Sequence, residues 1–174
     1  MFKSGGKMIV LSAIVLILLV AIDQITKALV VSYLNVGDIG FSFSIGSFDV
    51  FSVTHVRNRG AAWSILEGKT YLLIAIAVIA IVIAFYFIFK GKIKSPVGII
   101  SLIMIISGGI GNLIDRVRIK EVIDFLKFDF ISFPVFNFAD MCVVAGAVIF
   151  CLWVILSDIK LKRESKNGAA DGNV

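Results

Sequence analysis

Residues 8–22 read MIVLSAIVLILLVAI and run directly into Asp23-Gln24-Ile25-Thr26-Lys27 before apolar character resumes through Val31. Lys3 and Lys7 precede the run, as basic residues precede the apolar core of a secretory leader, but no small-x-small cleavage site closes it. The stretch therefore reads as a retained helix over about 8–33, with an ionisable pair set inside its second half. Working outward, three further apolar runs lie at about 70–89, 97–114 and 138–157. Each is close to the ~20 residues that cross ~30 Å of hydrocarbon as a helix. With 59% hydrophobic residues in 174 and a mean hydropathy of +1.03, the chain carries more apolar surface than one soluble core of this size hides. The expected architecture is an α-helical polytopic membrane protein, a single membrane-embedded domain over 1–174 with four transmembrane helices.

The net charge of +5 would suggest nucleic acid in a soluble protein. Here its distribution speaks for membrane orientation, and no nucleic-acid signal is present. Lys3, Lys7, Lys90, Lys92, Lys94, Lys160, Lys162, Arg163 and Lys166 lie at the two termini and in the 90–96 loop, with few acids beside them. The connections 34–69 and 115–137 balance their basic residues with acidic ones. Positive residues mark the cytoplasmic side, so both termini and the 90–96 loop are expected inside and the two long connections outside. The segment 160–174 reads as a polar cytoplasmic tail. Cys142 and Cys151, nine positions apart on one helix, point to opposite faces and read as packing residues; His55 is the sole histidine, and no metal or cofactor is expected.

In that topology the polar residues collect at one membrane face. Asp23 and Lys27 fall in the outward half of helix 1, Asn58 to Ala62 just before helix 2, Asn112 to Arg116 at the outward end of helix 3, and Asn137 and Asp140 at the outward start of helix 4. Ionisable groups at membrane depth are costly and mark functional sites by default. Asp23 and Lys27, four apart with the acid first, read more readily as a structural ion pair than as catalysts. Phe41-Ser42-Phe43-Ser44-Ile45 and Phe51-Ser52-Val53-Thr54 alternate as half-buried strands do, around a Gly46-Ser47 turn; they predict a small β-cradle over about 36–62 at the membrane surface. It is either a cap or a platform for an extended peptide. Gly60 and Ala61 let another backbone approach, and Trp63 follows as an interfacial aromatic. Ser107 and Gly111 have small-xxx-small spacing, while Asp115 has a partner available in Arg116 or in a neighbouring strand.

Asp124 and Asp140 are different. Lys127 is near Asp124 in sequence, but no basic residue follows Asp140 until Lys160. Each alone has a bland reading, Asp140 as the N-cap of helix 4. Together on one face with Asn112 and Asn137, they read as a carboxylate pair sharing a proton, able to activate water without metal, serine or cysteine.

These motifs, from Asp23-Gln24-Ile25-Thr26-Lys27 through the Asn58 and Asn112 segments to Asp124 and Asp140, resemble the bacterial lipoprotein signal peptidases (signal peptidase II) over essentially the whole chain. The resemblance implies four transmembrane helices, an extracytoplasmic β-cradle, and an aspartic endopeptidase that cleaves before the diacylglyceryl-modified cysteine of a prolipoprotein. It places catalysis at Asp124 and Asp140. It gives Asn58, Asn112, Arg116 and Asn137 contacts with substrate or the cyclic peptide globomycin, and makes Asp23 and Asp115 further motif residues. Gly109 stands where alanine is usual and Trp63 where phenylalanine is common. An alternative partner for Asp140 is Asp115, ranked second because Asp115 has its own structural role. The expected partners are a lipid-modified prolipoprotein and membrane lipids, the chain acting as a monomer in the bacterial cytoplasmic membrane with its site outward. A proton-coupled transporter is the main rival; it predicts a midplane site and internal repeats, and neither is evident. A non-catalytic scaffold would tolerate exchange of both aspartates.

Overall fold

The computed structural model describes residues 2–61 and 65–171. Trp63 lies outside them. Four helices are long and apolar enough to cross a membrane: α1 (Phe2–Tyr33), α2 (Thr70–Phe89), α3 (Pro96–Ile119) and α4 (Phe138–Asp171). Three strands complete the order: β1 (Ile39–Ile45) and β2 (Phe48–Asn58) between α1 and α2, and β3 (Val122–Phe128) between α3 and α4. The protein is a multi-pass membrane protein.

α3 is the hub, packing on α1, α2 and α4. Of its apolar window 44% is buried, against 6% for α2, whose mean hydropathy of 3.2 suits a helix that faces lipid nearly all round. Ile103 and Ile106 of α3 centre the helical core with Ala84 of α2. Glycine makes the α3–α4 contact possible: a Cβ on Gly108 would collide with the Ala139 carbonyl, and one on Gly146 would lie 2.7 Å from the Ser101 carbonyl oxygen. Ser107 is buried and returns its hydroxyl to the Met104 carbonyl at 2.9 Å. Pro96 starts α3 after an extended Ser95, as a proline without N–H permits.

β1 and β2 form an antiparallel hairpin in which Ile45 pairs with Phe48, leaving Gly46 and Ser47 as a two-residue loop with Gly46 at φ +65. The expected alternation holds: Phe43 pairs with Phe51, and Ser42 with Ser52. The sheet is larger than a cradle confined to the helix 1–helix 2 connection, because β3 pairs antiparallel with β2 and gives the order β1-β2-β3. Phe128 thereby joins Phe43 and Phe51 across the sheet, and Lys127 joins Ser52. Lys120, in the left-handed region at φ 64, ends α3 and turns the chain into β3 within two residues. Ile123 and Phe125 pack back on Val30 of α1, so the sheet sits on the C-terminal end of that helix. Phe136 exchanges backbone hydrogen bonds with Leu126 (2.8 and 3.0 Å), leading the chain from the sheet into α4. Beyond its apolar stretch α4 continues as helix through the region read as a polar tail, with Lys162 2.7 Å from Asp158 and Lys160 3.9 Å from Glu164 at i,i+4 spacing.

Candidate active site

The sequence clusters converge on one place, where α1, α3, the start of α4 and strands β2 and β3 meet. Its foundation is Lys27, 1% exposed, whose three ammonium protons are all engaged: Asp23 Oδ2 at 2.9 Å, Asp115 Oδ2 at 2.8 Å and Asn112 Oδ1 at 3.0 Å. The Asp23–Lys27 pair is thus real, and Asp115 shares its cation. Two buried carboxylates around one ammonium are tolerable only with further donors. Asp23 Oδ1 accepts from the Ala139 N–H at 3.0 Å, Asp115 Oδ2 from the Ile123 N–H at 3.3 Å, and Gln24 Nε2 donates to both acids. Of the two partners open to Asp115, the strand is the one it meets.

Arg116 instead donates through Nη2 to the Gly60 carbonyl at 2.8 Å, and its charge faces Asp140, Asp124 and Asp115. It ties α3 to the turn after β2. In the same turn Asn58 Oδ1 accepts from the Gly60 N–H at 2.8 Å, which leaves its amide free to donate to Asp124 Oδ2, also at 2.8 Å. Ala61 continues the turn, its N–H bonded to the Ile65 carbonyl at 2.8 Å.

Asp124 lies in β3, 2% exposed, and Asp140 is half-buried in the first turn of α4. Asn137 joins them. Its Nδ2 donates to Asp124 Oδ1 at 2.7 Å; its Oδ1 accepts from the Asp140 N–H at 3.0 Å, and Asp140 Oδ2 accepts from the Asn137 N–H at 3.1 Å. Asp140 is therefore not itself the N-cap, the bland reading open to it alone. Asn137 holds that position, and Asp140, three residues on, completes a reciprocal capping box. The remaining oxygen, Asp140 Oδ1, accepts from Asn112 Nδ2 at 2.7 Å. Burial first, and then the charge of Asp140, push the Asp124 carboxyl up to about 7, against the opposing pull of the Asn58 and Asn137 amides and of Lys27.

Beside Asp124 opens a groove of about 380 Å³ lined by Arg57, Asn58, Ala61, Glu67, Phe133 and Pro134 among others, running between the turn after β2 and the segment after β3. An extended chain laid there reaches Asp124, which lines the groove, with Asp140 beyond it across Asn137. Among the described residues no group of three His, Cys, Asp or Glu side chains is arranged as metal ligands.

Two contributors escaped the sequence reading. Gln24 is one, an amide in an apolar helix that needs partners and finds them in Asp23, Asp115 and the Gly111 carbonyl. Gly111 stands where a Cβ would collide with Asp23 Oδ2, so it is required by the ion cluster and not only by helix packing.

A family model described as signal peptidase (SPase) II matches residues 15–156. The lipoprotein signal peptidase of Enterococcus faecalis is 40% identical over 162 residues, 93% of this chain and 98% of that one. That of Lactiplantibacillus plantarum is 42% identical over 147 residues, 83% and 94% of the two chains. A bacterial membrane enzyme solved by the in meso method is similar with a TM-score of 0.77 at 31% identity, over 87% of this chain and 90% of that one. A second solved bacterial membrane enzyme gives 0.72 at 30%. With the match extending from the middle of α1 to the apolar end of α4, the chain belongs to the signal peptidase II family and is a membrane protease.

Proposed function

We propose that the protein is an aspartic endopeptidase that removes the signal peptide of diacylglyceryl-modified prolipoproteins, cutting immediately before the lipidated cysteine with Asp124, Asp140 and a water nucleophile. The observation that carries this reading is the joining of the two carboxylates through Asn137 beside an open groove.

One carboxylate takes a proton from water as its oxygen attacks the scissile carbonyl. The other, protonated, gives its proton to the carbonyl oxygen. Collapse of the gem-diol breaks the C–N bond: the proton held by the base passes to the departing cysteine nitrogen, and one hydroxyl returns its proton to the other carboxylate, which restores the pair. The amides of Asn58, Asn112 and Asn137 hold the carboxylates in position throughout. Asp115 is poorly suited to replace Asp124 because Lys27, Gln24 and the Ile123 N–H occupy its oxygens.

The location proposed is the bacterial cytoplasmic membrane, with both termini inside and the site at the outer leaflet, in agreement with the basic residues at the termini and in the 90–96 loop. A substrate tethered by acyl chains is confined to the plane of that leaflet and meets the carboxylates at its own depth. The chain works as a monomer in this reading, with no metal or other cofactor.

The test is cleavage of a verified diacylglyceryl-modified prolipoprotein by purified wild type, Asp124→Asn, Asp140→Asn and Asp115→Asn at matched folded concentration. Wild type is expected to cleave, and the first two variants to be inert. Activity in Asp124→Asn but not Asp115→Asn would transfer the role to Asp115; an inert wild type would overturn the reading. The unlipidated precursor is expected to be a poor substrate.

A further inference from the structure

Both oxygens of Asp124 and both oxygens of Asp140 receive a hydrogen bond, and the direction of every one is fixed by groups that can only donate. Backbone N–H groups settle two amides. The Gly60 N–H claims Asn58 Oδ1, so Asn58 presents its NH₂ to Asp124; the Asp140 N–H claims Asn137 Oδ1, so Asn137 presents its NH₂ to Asp124 and to Asn112 Oδ1. Lys27 adds its donor to the same Asn112 oxygen, 3.0 Å away, and so helps turn the NH₂ of Asn112 onto Asp140. An ammonium has no acceptor. Reversing Asn112 would put its NH₂ against Lys27 and its carbonyl oxygen against Asp140.

Asp140 is thus held by two donors that Asp124 does not share, the Asn112 amide backed by Lys27 and the Asn137 N–H at the positive end of α4, while Asp124 has the Asn58 and Asn137 amides. Around it stand Asp23 and Lys27 from α1, Asp115 and Arg116 from α3, and Asp124 from β3. Four carboxylates and two cations leave an excess of negative charge that a single shared proton relieves. Of the two, Asp124 is the more deeply buried, 2% exposed against a half-buried Asp140, and burial favours the neutral acid there.

We propose that Lys27, which touches neither carboxylate of the pair, is a positioning residue for the reaction. Through Asn112 it keeps Asp140 Oδ1 an acceptor, as the Asn137 N–H keeps Oδ2, so that Asp140 is the base that takes the proton from water and Asp124 is the acid that protonates the scissile carbonyl oxygen. The proposal rests on the reading of Asp124 and Asp140 as the catalytic pair.

Lys27→Met alone would strand Asp23 and Asp115 without a cation, so the informative variant is Lys27→Met/Asp115→Asn, in which the charge of the three-residue cluster is unchanged. Its kcat on lipidated prolipoprotein is expected to fall ~10-fold or more with KM within about threefold of wild type. Because the relay acts on the base of the pair, the acid limb of the kcat/KM profile is expected to move relative to wild type. Asp115→Asn by itself is the reference that isolates the lysine. Adding Asn112→Ala to the double variant is expected to cost little more, since both changes cut the same relay. If the double variant does not fold, Asn112→Ala beside wild-type Lys27 carries the test through the same acid limb, with Lys27→Arg expected to retain the wild-type limb. An unmoved limb, a defect in KM alone, or full additivity with Asn112→Ala would overturn the proposal. Activity surviving in Asp124→Asn or Asp140→Asn would instead overturn the reading beneath it.

Discussion

Asn137 and Asp140 cap one another: each side chain accepts the other's backbone N–H, at 3.0 and 3.1 Å, so the first turn of α4 is closed by a residue of the carboxylate pair. The device that starts the helix also orients Asp140. Helix capping and carboxylate geometry are therefore coupled here, yet the coupling can be separated by chemistry.

Asn137→Ser retains a good N-cap but loses the amide that reaches Asp124, whereas Asn137→Ala loses both. Serine is expected to preserve stability within about 0.5 kcal/mol, and alanine to lower it by about 1 kcal/mol, the ordinary worth of a cap. Both should lower kcat by ~100-fold. Thermal unfolding in detergent beside cleavage kinetics checks this, and a serine variant with near wild-type kcat would show that the amide to Asp124 is dispensable.

Gly111→Ala and Gly109→Ala make the same chemical change one helical half-turn apart. At Gly111 the new methyl meets Asp23 and, at 3.1 Å, the Ala139 side chain, so a loss of about 2 kcal/mol or more is expected. At Gly109 it meets only the end of Ile81 at 3.3 Å, and the helix gains from alanine, for a net change within about 1 kcal/mol. Equal melting temperatures for the two variants would count against the packing described.

Stability should depend on pH through Asp124. Its carboxyl lies at about 7 in the folded chain against an ordinary value of 3.8, so between these limits the folded chain holds a proton that the unfolded chain has released. This contribution is fully present below about pH 4 and is lost as pH rises through about 7. Asp124→Asn removes it. The melting temperature of the variant relative to wild type is therefore expected to rise from pH 4 to 7 and then level off; a difference independent of pH would refute the assignment.

Arg116→Lys keeps the charge facing the carboxylates but lacks the planar fork that reaches the Gly60 carbonyl at 2.8 Å. The turn bearing Asn58 and Ala61 should loosen, raising KM by ~10-fold with kcat within about threefold. Saturation kinetics with lipidated substrate distinguish this from the opposite pattern, which would assign Arg116 to the chemical step.

The four helices were legible because a bilayer leaves a long apolar run little choice but a helix, and the β1–β2 hairpin because Phe41 to Ile45 alternate up to a Gly-Ser turn. β3 was not. Val122-Ile123-Asp124-Phe125-Leu126 is buried on both sides over its first four residues, so the alternation that betrays a surface strand is missing, and its partner β2 lies more than 60 residues earlier. The site was legible as a place, since four clusters fell on one membrane face. Its wiring was not: that Lys27 meets Asn112, or that Arg116 serves Gly60 and not Asp115, depends on how α1 and α3 are rotated against each other. Periodicity along one helix does not contain that angle.

β3 lies between α3 and α4 in the chain but completes a sheet begun before α2, and Asp124 and Asp140 both follow α3. A ribosome-bound chain that has inserted three spans carries Asp23, Lys27, Asp115 and the donors Asn58 and Asn112, but lacks the pair and the Ile123 and Ala139 N–H groups that complete the ion cluster. On the proposed reading of that pair, proteolytic competence arrives only with the fourth span, and a chain that stops after the third has none.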